Sequence, residues 1–177
     1  FNVGVSTQMT PAPAPTYQRI ENNFSVLLPD GRVFTGGGIQ QTGFADPRFS
    51  YEVFRPPYFG FTRPRLLSVH DGAGGALETI GFEDSFQIDV GHSMSQPIAR
   101  VVLIRVGAAT RGFDYDQRYI ELELGTGTWN GSQTIETIPI TAPKDDLGPA
   151  GYYLIYAVQD NGSGVFIPST GQFLRLF

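Results

Sequence analysis

The chain has no cysteine. Disulfides, zinc fingers, iron–sulfur clusters and thiol nucleophiles are therefore excluded. The redox compartment stays open, because a core of this size needs no covalent staples. Lysine is almost absent: of 12 basic residues only Lys144 is a lysine, and the net charge is −5. A protein that tracks phosphate backbones needs a basic stripe, so nucleic acid is not an expected partner. No run of 18 or so apolar residues occurs, and no membrane span is expected. The first ten residues, FNVGVSTQMT, have neither a basic n-region nor an apolar h-region. They read as the start of a cleaved or truncated segment rather than as a signal peptide.

What is abundant points to β-structure. There are 14 Phe, 8 Tyr, 22 Gly and 13 Pro, and 41% of residues are hydrophobic. Aromatic and β-branched residues in short runs between turn formers favour strands, and no helical periodicity is present. Phe24 to Leu28 and Arg32 to Thr35 flank Pro29-Asp30-Gly31, a tight turn in which Pro presets φ and Gly accepts positive φ. Ser50 to Phe54 adds a third strand. Seven further segments follow: Leu66 to His70, Ser85 to Val90, Ala99 to Val106, Tyr119 to Leu124, Thr134 to Ile140, Gly151 to Gln159 and Gly171 to Phe177. Their spacing of roughly 12 to 18 residues is that of an immunoglobulin-like β-sandwich. The expected division is 1–60, a Pro-rich connector and hairpin unable to close a core alone, and 61–177, the sandwich. Residues 1–60 must then pack on the sandwich or on something outside the chain.

Local motifs for chemistry are sparse. Gly36-Gly37-Gly38 and Gly72-Ala73-Gly74-Gly75 lack the Lys-Ser/Thr and helix start of a phosphate loop. The two histidines, His70 and His92, lie in turn-like stretches of the second part, and a surface or locally hydrogen-bonded position is expected for each, not a shared metal site. Glu121 and Glu123 share one strand face by period 2 and read as a solvated face. Asp145-Asp146 offers too few oxygens for calcium. The arginines read mainly as surface charges and structural ion pairs. Tyr58, Phe59, Phe61 and Trp129 suit a sugar platform, but the Tyr58 to Phe61 cluster falls at the boundary between the two parts and better suits packing there. The Asn-x-Ser triplets at Asn23, Asn130 and Asn161 lend secretion little weight.

Longer motifs carry a resemblance. Arg19-Ile20-Glu21-Asn22-Asn23-Phe24-Ser25-Val26-Leu27-Leu28-Pro29-Asp30-Gly31-Arg32-Val33 resembles the pattern R-x-Y-H-S-x-x-x-L-L-P-D-G-R-V of the copper radical oxidases, the galactose oxidase and glyoxal oxidase family. Tyr51-Glu52-Val53-Phe54-Arg55-Pro56-Pro57-Tyr58 is similar to the family's A-E-I-F-x-P-P-Y. The stretches Arg100 to Thr110, Asp116-Gln117-Arg118 and Pro149 to Leu154 resemble its C-terminal domain. The resemblance implies that 1–60 is the terminal segment of a kelch-type β-propeller and 61–177 the immunoglobulin-like sandwich. It also implies a hairpin that reaches from the sandwich into the propeller pore, supported by Asp116-Gln117-Arg118. The remaining blades would lie in the parent chain or a companion chain, and the location would be extracellular or at the cell surface.

The family's copper positions are changed. Its Tyr-His pair aligns with Glu21 and Asn22, and its hairpin His with Arg111. Copper oxidases need imidazole and phenolate donors, whereas Arg has no lone pair to offer and Asn is a poor ligand. No copper or other cofactor is therefore expected. Glu21, Asn22 and Arg111 are expected to converge at the former copper position, as an ion-pair plug or as a site for a polar ligand such as a sugar. The resulting expectation is a non-catalytic structural or carbohydrate-binding part of a propeller protein. The alternative is a divergent oxidase of primary alcohols or aldehydes, completed by a missing propeller chain.

Overall fold

Apolar residues that alternate along a strand put one face in a core and leave the other to solvent. In Ser85–Gly91 the side chains of Phe86, Ile88 and Val90 are buried, and those between them are not. The same rhythm recurs through the second half of the chain and closes one all-β core. The computed structural model describes residues 13, 14, 16, 19, 22–38 and 50–177. Its strands are β1 (Asn23–Leu27), β2 (Val33–Gly37), β3 (Tyr51–Phe54), β4 (Arg65–His70), β5 (Thr79–Ile80), β6 (Ser85–Gly91), β7 (Ile98–Arg105), β8 (Ala109–Thr110), β9 (Phe113–Asp114), β10 (Tyr119–Leu124), β11 (Thr128–Trp129), β12 (Ile135–Thr141), β13 (Gly151–Asp160), β14 (Phe166–Pro168) and β15 (Gln172–Leu176). A single 3₁₀ turn, Pro57–Gly60, is the only helical element among the described residues.

The sandwich follows the path β4-β6-β12-β10-β7-β13-β15-β5. β10 turns the corner between its two layers. Tyr119 to Leu122 pair with β7, while Glu123 and Leu124 pair with β12. Such a strand, shared between layers, joins two faces around one core. Ile88, Val101, Leu103, Ile138, Tyr153, Ile155 and Leu174 fill it. Glu121 and Glu123 are exposed beside buried Ile120 and Leu122, the solvated face read from the sequence.

β13 breaks the alternation. Tyr153, Leu154, Ile155, Tyr156 and Ala157 are all buried. A strand buried on both faces needs a second cover, and the β1–β2 hairpin supplies it. Leu27 packs on Val102, Leu154 and Tyr156, outside the main core. The hairpin turn is then pinned by hydrogen bonds to its carbonyls. Gly171 N donates to Pro29 O at 2.7 Å, Tyr156 Oη to Leu28 O at 3.2 Å, and Tyr58 Oη to Gly31 O. Burial raises both the Tyr58 and Tyr156 phenols, which keeps these hydroxyls donors. Of the two surfaces the sequence left open for residues 1–60, the hairpin uses the chain's own sandwich.

Arg63 joins the two parts most directly. Its guanidinium donates to Asp30 O (2.7 Å), Pro168 O (2.8 Å) and Ser169 O (2.6 Å). It also lies over the stacked Tyr58 and Phe59 rings, 5.5 and 4.7 Å from their centroids. Tyr58 and Phe59 therefore serve packing at the boundary, whereas Trp129 lies against His92 with ring centroids 4.7 Å apart.

Asp30 makes the turn sensitive to acid. Burial alone would raise its carboxyl, but the Arg32 N–H and guanidinium hydrogen bonds, with the Arg32 and Arg63 charges, hold it below its ordinary 3.8. A depressed carboxyl stabilises the fold above its unfolded value and loses that contribution as pH falls through the folded value. Asp30→Asn is expected to flatten the drop in melting temperature between about pH 5 and pH 2. Thermal unfolding monitored by near-UV circular dichroism across that range checks this.

Candidate functional site

The positions expected to converge lie on two elements: the chain just before β1 and the short β8–β9 hairpin. Arg19 organises the first. Its side chain is 3% exposed and donates to Gly37 O and to Ser50 Oγ (3.0 Å), and it pairs with Glu52 at 3.6 Å. Its backbone carbonyl accepts a hydrogen bond from Asn23 Nδ2 at 2.9 Å. Glycine is required opposite: a Cβ on Gly38 would come within 3.0 Å of the Arg19 Cβ, and one on Gly36 within 2.9 Å of the Phe24 ring. The Gly36-Gly37-Gly38 run is thus a place of close approach, and no phosphate loop. Asn22 sits at φ 54°, a left-handed conformation that Asn tolerates better than most residues, and its carbonyl accepts Gly38 N at 3.2 Å.

β8 and β9 pair through Ala109↔Asp114 and Thr110↔Phe113, leaving Arg111-Gly112 as a two-residue turn. Both turn residues have positive φ, 50° and 77°, as a type I′ hairpin demands. The tip lies directly on β1: Gly112 N donates to Asn23 O at 2.6 Å. A Cβ at Gly112 would be strained at φ 77° and would push aside Asn23 Oδ1, 2.8 Å away, so glycine suits this seat. The structure therefore brings the tip that carries Arg111 against the strand start that follows Asn22. Both of those side chains are exposed. Glu21 lies outside the described residues.

The hairpin base is rigidly built. Asp114 Oδ1 accepts the Ala108 and Asp116 N–H groups at 2.9 and 3.0 Å. Arg105 Nε contacts Asp116 Oδ2 at 2.7 Å, which raises the Arg105 pKa, and Arg105 N donates to Arg118 O at 3.0 Å. Phe113 and Tyr115 meet edge-on at 4.9 Å and are 59% and 70% exposed. A groove of about 350 Å³ runs beside the base, lined by Leu27, Ile104, Arg105, Asp114, Gln117 and Tyr119 among others. A second cleft of about 240 Å³, with Tyr58, Arg100, Tyr119, Tyr156 and Phe166 in its walls, continues under the β1–β2 turn. Arg100 covers the Phe166 ring at 4.4 Å, and the Tyr58 and Tyr156 hydroxyls are already committed to hairpin carbonyls. Both clefts border a structural joint.

Composition marked the arginines as structural ion pairs or surface charges, and Arg19 and Arg105 do pair with Glu52 and Asp116, but it did not single out Arg19, Arg63 and Arg105. Each cross-links backbone oxygens, Arg19 and Arg63 in partly buried positions and Arg105 at the surface. The near-exclusive use of Arg over Lys was the available signal, because a planar fork suits several carbonyls at once. Both histidines are locally bonded. His92 is fully buried, with Nε2 2.8 Å from Glu136 Oε2, so it is not a surface residue. His70 closes β4 beside Asp89. Among the described residues no group of three or more His, Asp or Glu gathers.

The model of the galactose oxidase-like, early set domain matches residues 63–176. The chain belongs to that family. The early set domain accounts for the sandwich from just before β4 to the end of β15. The chain is 29% identical to a galactose oxidase of Gibberella zeae over 89% of its own length and 21% of that protein's. It is 24% identical to the aldehyde oxidase GLOX1 of Arabidopsis thaliana, over 91% of its own length and 26% of the relative's. Against the aldehyde oxidase GLOX of Vitis pseudoreticulata the identity is 24%, over 95% and 31%. The chain thus spans between a fifth and a third of the length of these relatives, and all three alignments run beyond the early set domain into residues before 63.

Proposed function

We propose that this chain is a non-catalytic structural part of a galactose-oxidase-like protein whose copper ligands have been replaced. The observation that carries the reading is the seat of the β8–β9 tip on β1, with Arg111 at its apex and Asn22 one residue before the contact. The donor set there does not fit copper: a guanidinium has five N–H donors and no lone pair, and a carboxamide is a weak ligand. A cation at a ligand position also repels the metal. Glu21, the third aligned residue, supplies a carboxylate that complements Arg111, and the trio acts as an ion-pair plug where the family would hold its metal.

In this reading β1–β3 is the terminal segment of a β-propeller, and the remaining blades, in the parent chain or in a companion chain, are its partner. Two observations support it. The three-stranded sheet leaves Tyr51 and Val53 exposed, which a neighbouring blade would cover. Phe113 and Tyr115 present an uncovered aromatic edge beside the hairpin tip. An extracellular or cell-surface location follows by kinship with the matched oxidases.

A double-mutant cycle tests the plug. Glu21→Gln and Arg111→Gln, singly and together, are expected to show a coupling of about 0.5 kcal/mol in urea unfolding, the size for a pair built on an exposed guanidinium. Strictly additive losses would remove the plug.

A further inference from the structure

The outer face of the sandwich layer opposite the β1–β2 hairpin carries a polar cluster that the copper-site positions do not touch. Inward-facing Val69, Ile88 and Ile138 go to the core. Between them, in one cross-strand row, stand Ser68 on β4, Asp89 on β6 and Thr137 on β12, with Asp89 paired to both neighbours. His70 lies two residues along β4 on the same face, diagonal to Asp89.

Each group is oriented. Thr137 Oγ1 donates to Asp89 Oδ1 at 2.6 Å and Ser68 Oγ to Oδ2 at 2.9 Å. Both carboxylate oxygens of Asp89 are thus held by hydroxyl donors. His70 Nδ1 lies 2.7 Å from Asp71 O. A carbonyl only accepts, so Nδ1 carries a proton, and Nε2 is the ring nitrogen turned toward Asp89. Asp71 is itself fixed, because its Oδ1 accepts the Ala73 and Gly75 N–H groups at 2.9 and 2.7 Å. His70 Nε2 makes no hydrogen bond and sits 3.4 Å from Asp89 Oδ1, in a side chain only 13% exposed. A cavity of about 140 Å³ opens beside the pair, bounded by Ser68, His70, Gly74, Ala76 and Asp89.

A separation of 3.4 Å is long for an N–H···O bond. It is the spacing of two ligands on one tetrahedral ion: with metal–nitrogen and metal–oxygen bonds of about 2.1 Å, the donors stand about 3.4 Å apart. Imidazole and carboxylate together suit Zn²⁺. The surroundings are those that zinc ligands use, with the far ring nitrogen on a backbone carbonyl and the carboxylate held by hydroxyls. We propose that His70 Nε2 and Asp89 Oδ1 form a Zn²⁺ site on β4 and β6, completed by water from the adjoining cavity. Two protein ligands make it an exchangeable site rather than a structural one. Ser68 and Thr137 are its positioning residues.

Isothermal titration of the chain with Zn²⁺ near pH 7 tests this, since the ligands must be deprotonated. One ion per chain is expected. His70→Gln and Asp89→Asn should each weaken binding at least tenfold, and Ser68→Ala about tenfold, the effect seen for second-sphere groups. His92→Gln should leave it unchanged. Near-UV circular dichroism without metal verifies the fold of each variant, and His70→Gln decides the matter if Asp89→Asn does not fold. Absence of saturable uptake, or uptake that survives His70→Gln, would overturn the site.

Discussion

Arg63→Ala is expected to lower the stability of the chain by about 3 kcal/mol and to detach the β1–β2 hairpin from the sandwich. Three carbonyl oxygens, on Asp30, Pro168 and Ser169, share this one guanidinium. Hydrogen bonds to a charged donor contribute about 1.5–3 kcal/mol each, and water replaces some of them at a partly buried joint. The cation also leaves the faces of Tyr58 and Phe59. Lysine would not substitute, because an ammonium cannot present a planar fork to three acceptors. The hairpin amides should exchange faster in Arg63→Ala while those of β6, β7 and β12 keep their relative protection. Hydrogen exchange followed residue by residue separates this local release from general loosening.

Ile155→Ala is expected to cost about 2–5 kcal/mol, the range for truncating a fully buried aliphatic side chain. Ile155 lies in β13, hydrogen-bonded between β7 and β15, with no exposed surface, at the centre of the main core. Its neighbour Tyr156 points to the other face, toward the hairpin. The two positions therefore report on different structures. Ile155→Ala should lower the urea midpoint of the whole sandwich, whereas Tyr156→Ala should mainly loosen the hairpin. Equilibrium unfolding by near-UV circular dichroism, beside exchange at β1, distinguishes them. Equal loosening of both regions in both variants would show that the hairpin and sandwich form one cooperative unit.

The long strands were legible because alternation leaves a clear mark. Ser85 to Val90, Tyr119 to Leu124 and Gly151 to Gln159 lie where the pattern put them, within a residue at each end. The pairs of residues in β5, β8, β9 and β11 were not legible, since two residues carry no period. β5 also pairs in parallel with β15, a contact set by tertiary position alone. The joint between hairpin and sandwich was half visible. An unbroken run of buried side chains in β13 signals a strand covered on both sides, but the acceptors that hold the cover are main-chain carbonyls of Leu28, Pro29, Asp30 and Gly31. Carbonyls leave no trace in residue identity. Arg63 could have been found only from a cation standing beside Pro in an aromatic boundary, Phe59-Gly60-Phe61-Thr62-Arg63-Pro64.

Site legibility followed the same division. Family motifs aligned Asn22 and Arg111, and their elements meet through Gly112 and Asn23. The Ser68–Asp89–Thr137 row required the register of three strands, which periodicity cannot supply.

The most direct test of the central claim is peroxide production after loading with copper, by this chain and by any longer protein or assembly that contains it. Primary alcohols and aldehydes would be offered with oxygen, and hydrogen peroxide measured. No peroxide above the copper-only background is expected, because Arg111 and Asn22 supply neither imidazole nor phenolate. Sustained turnover that needs stoichiometric copper and is altered by Arg111→Ala would contradict it, and would return the β8–β9 tip to an oxidase active site.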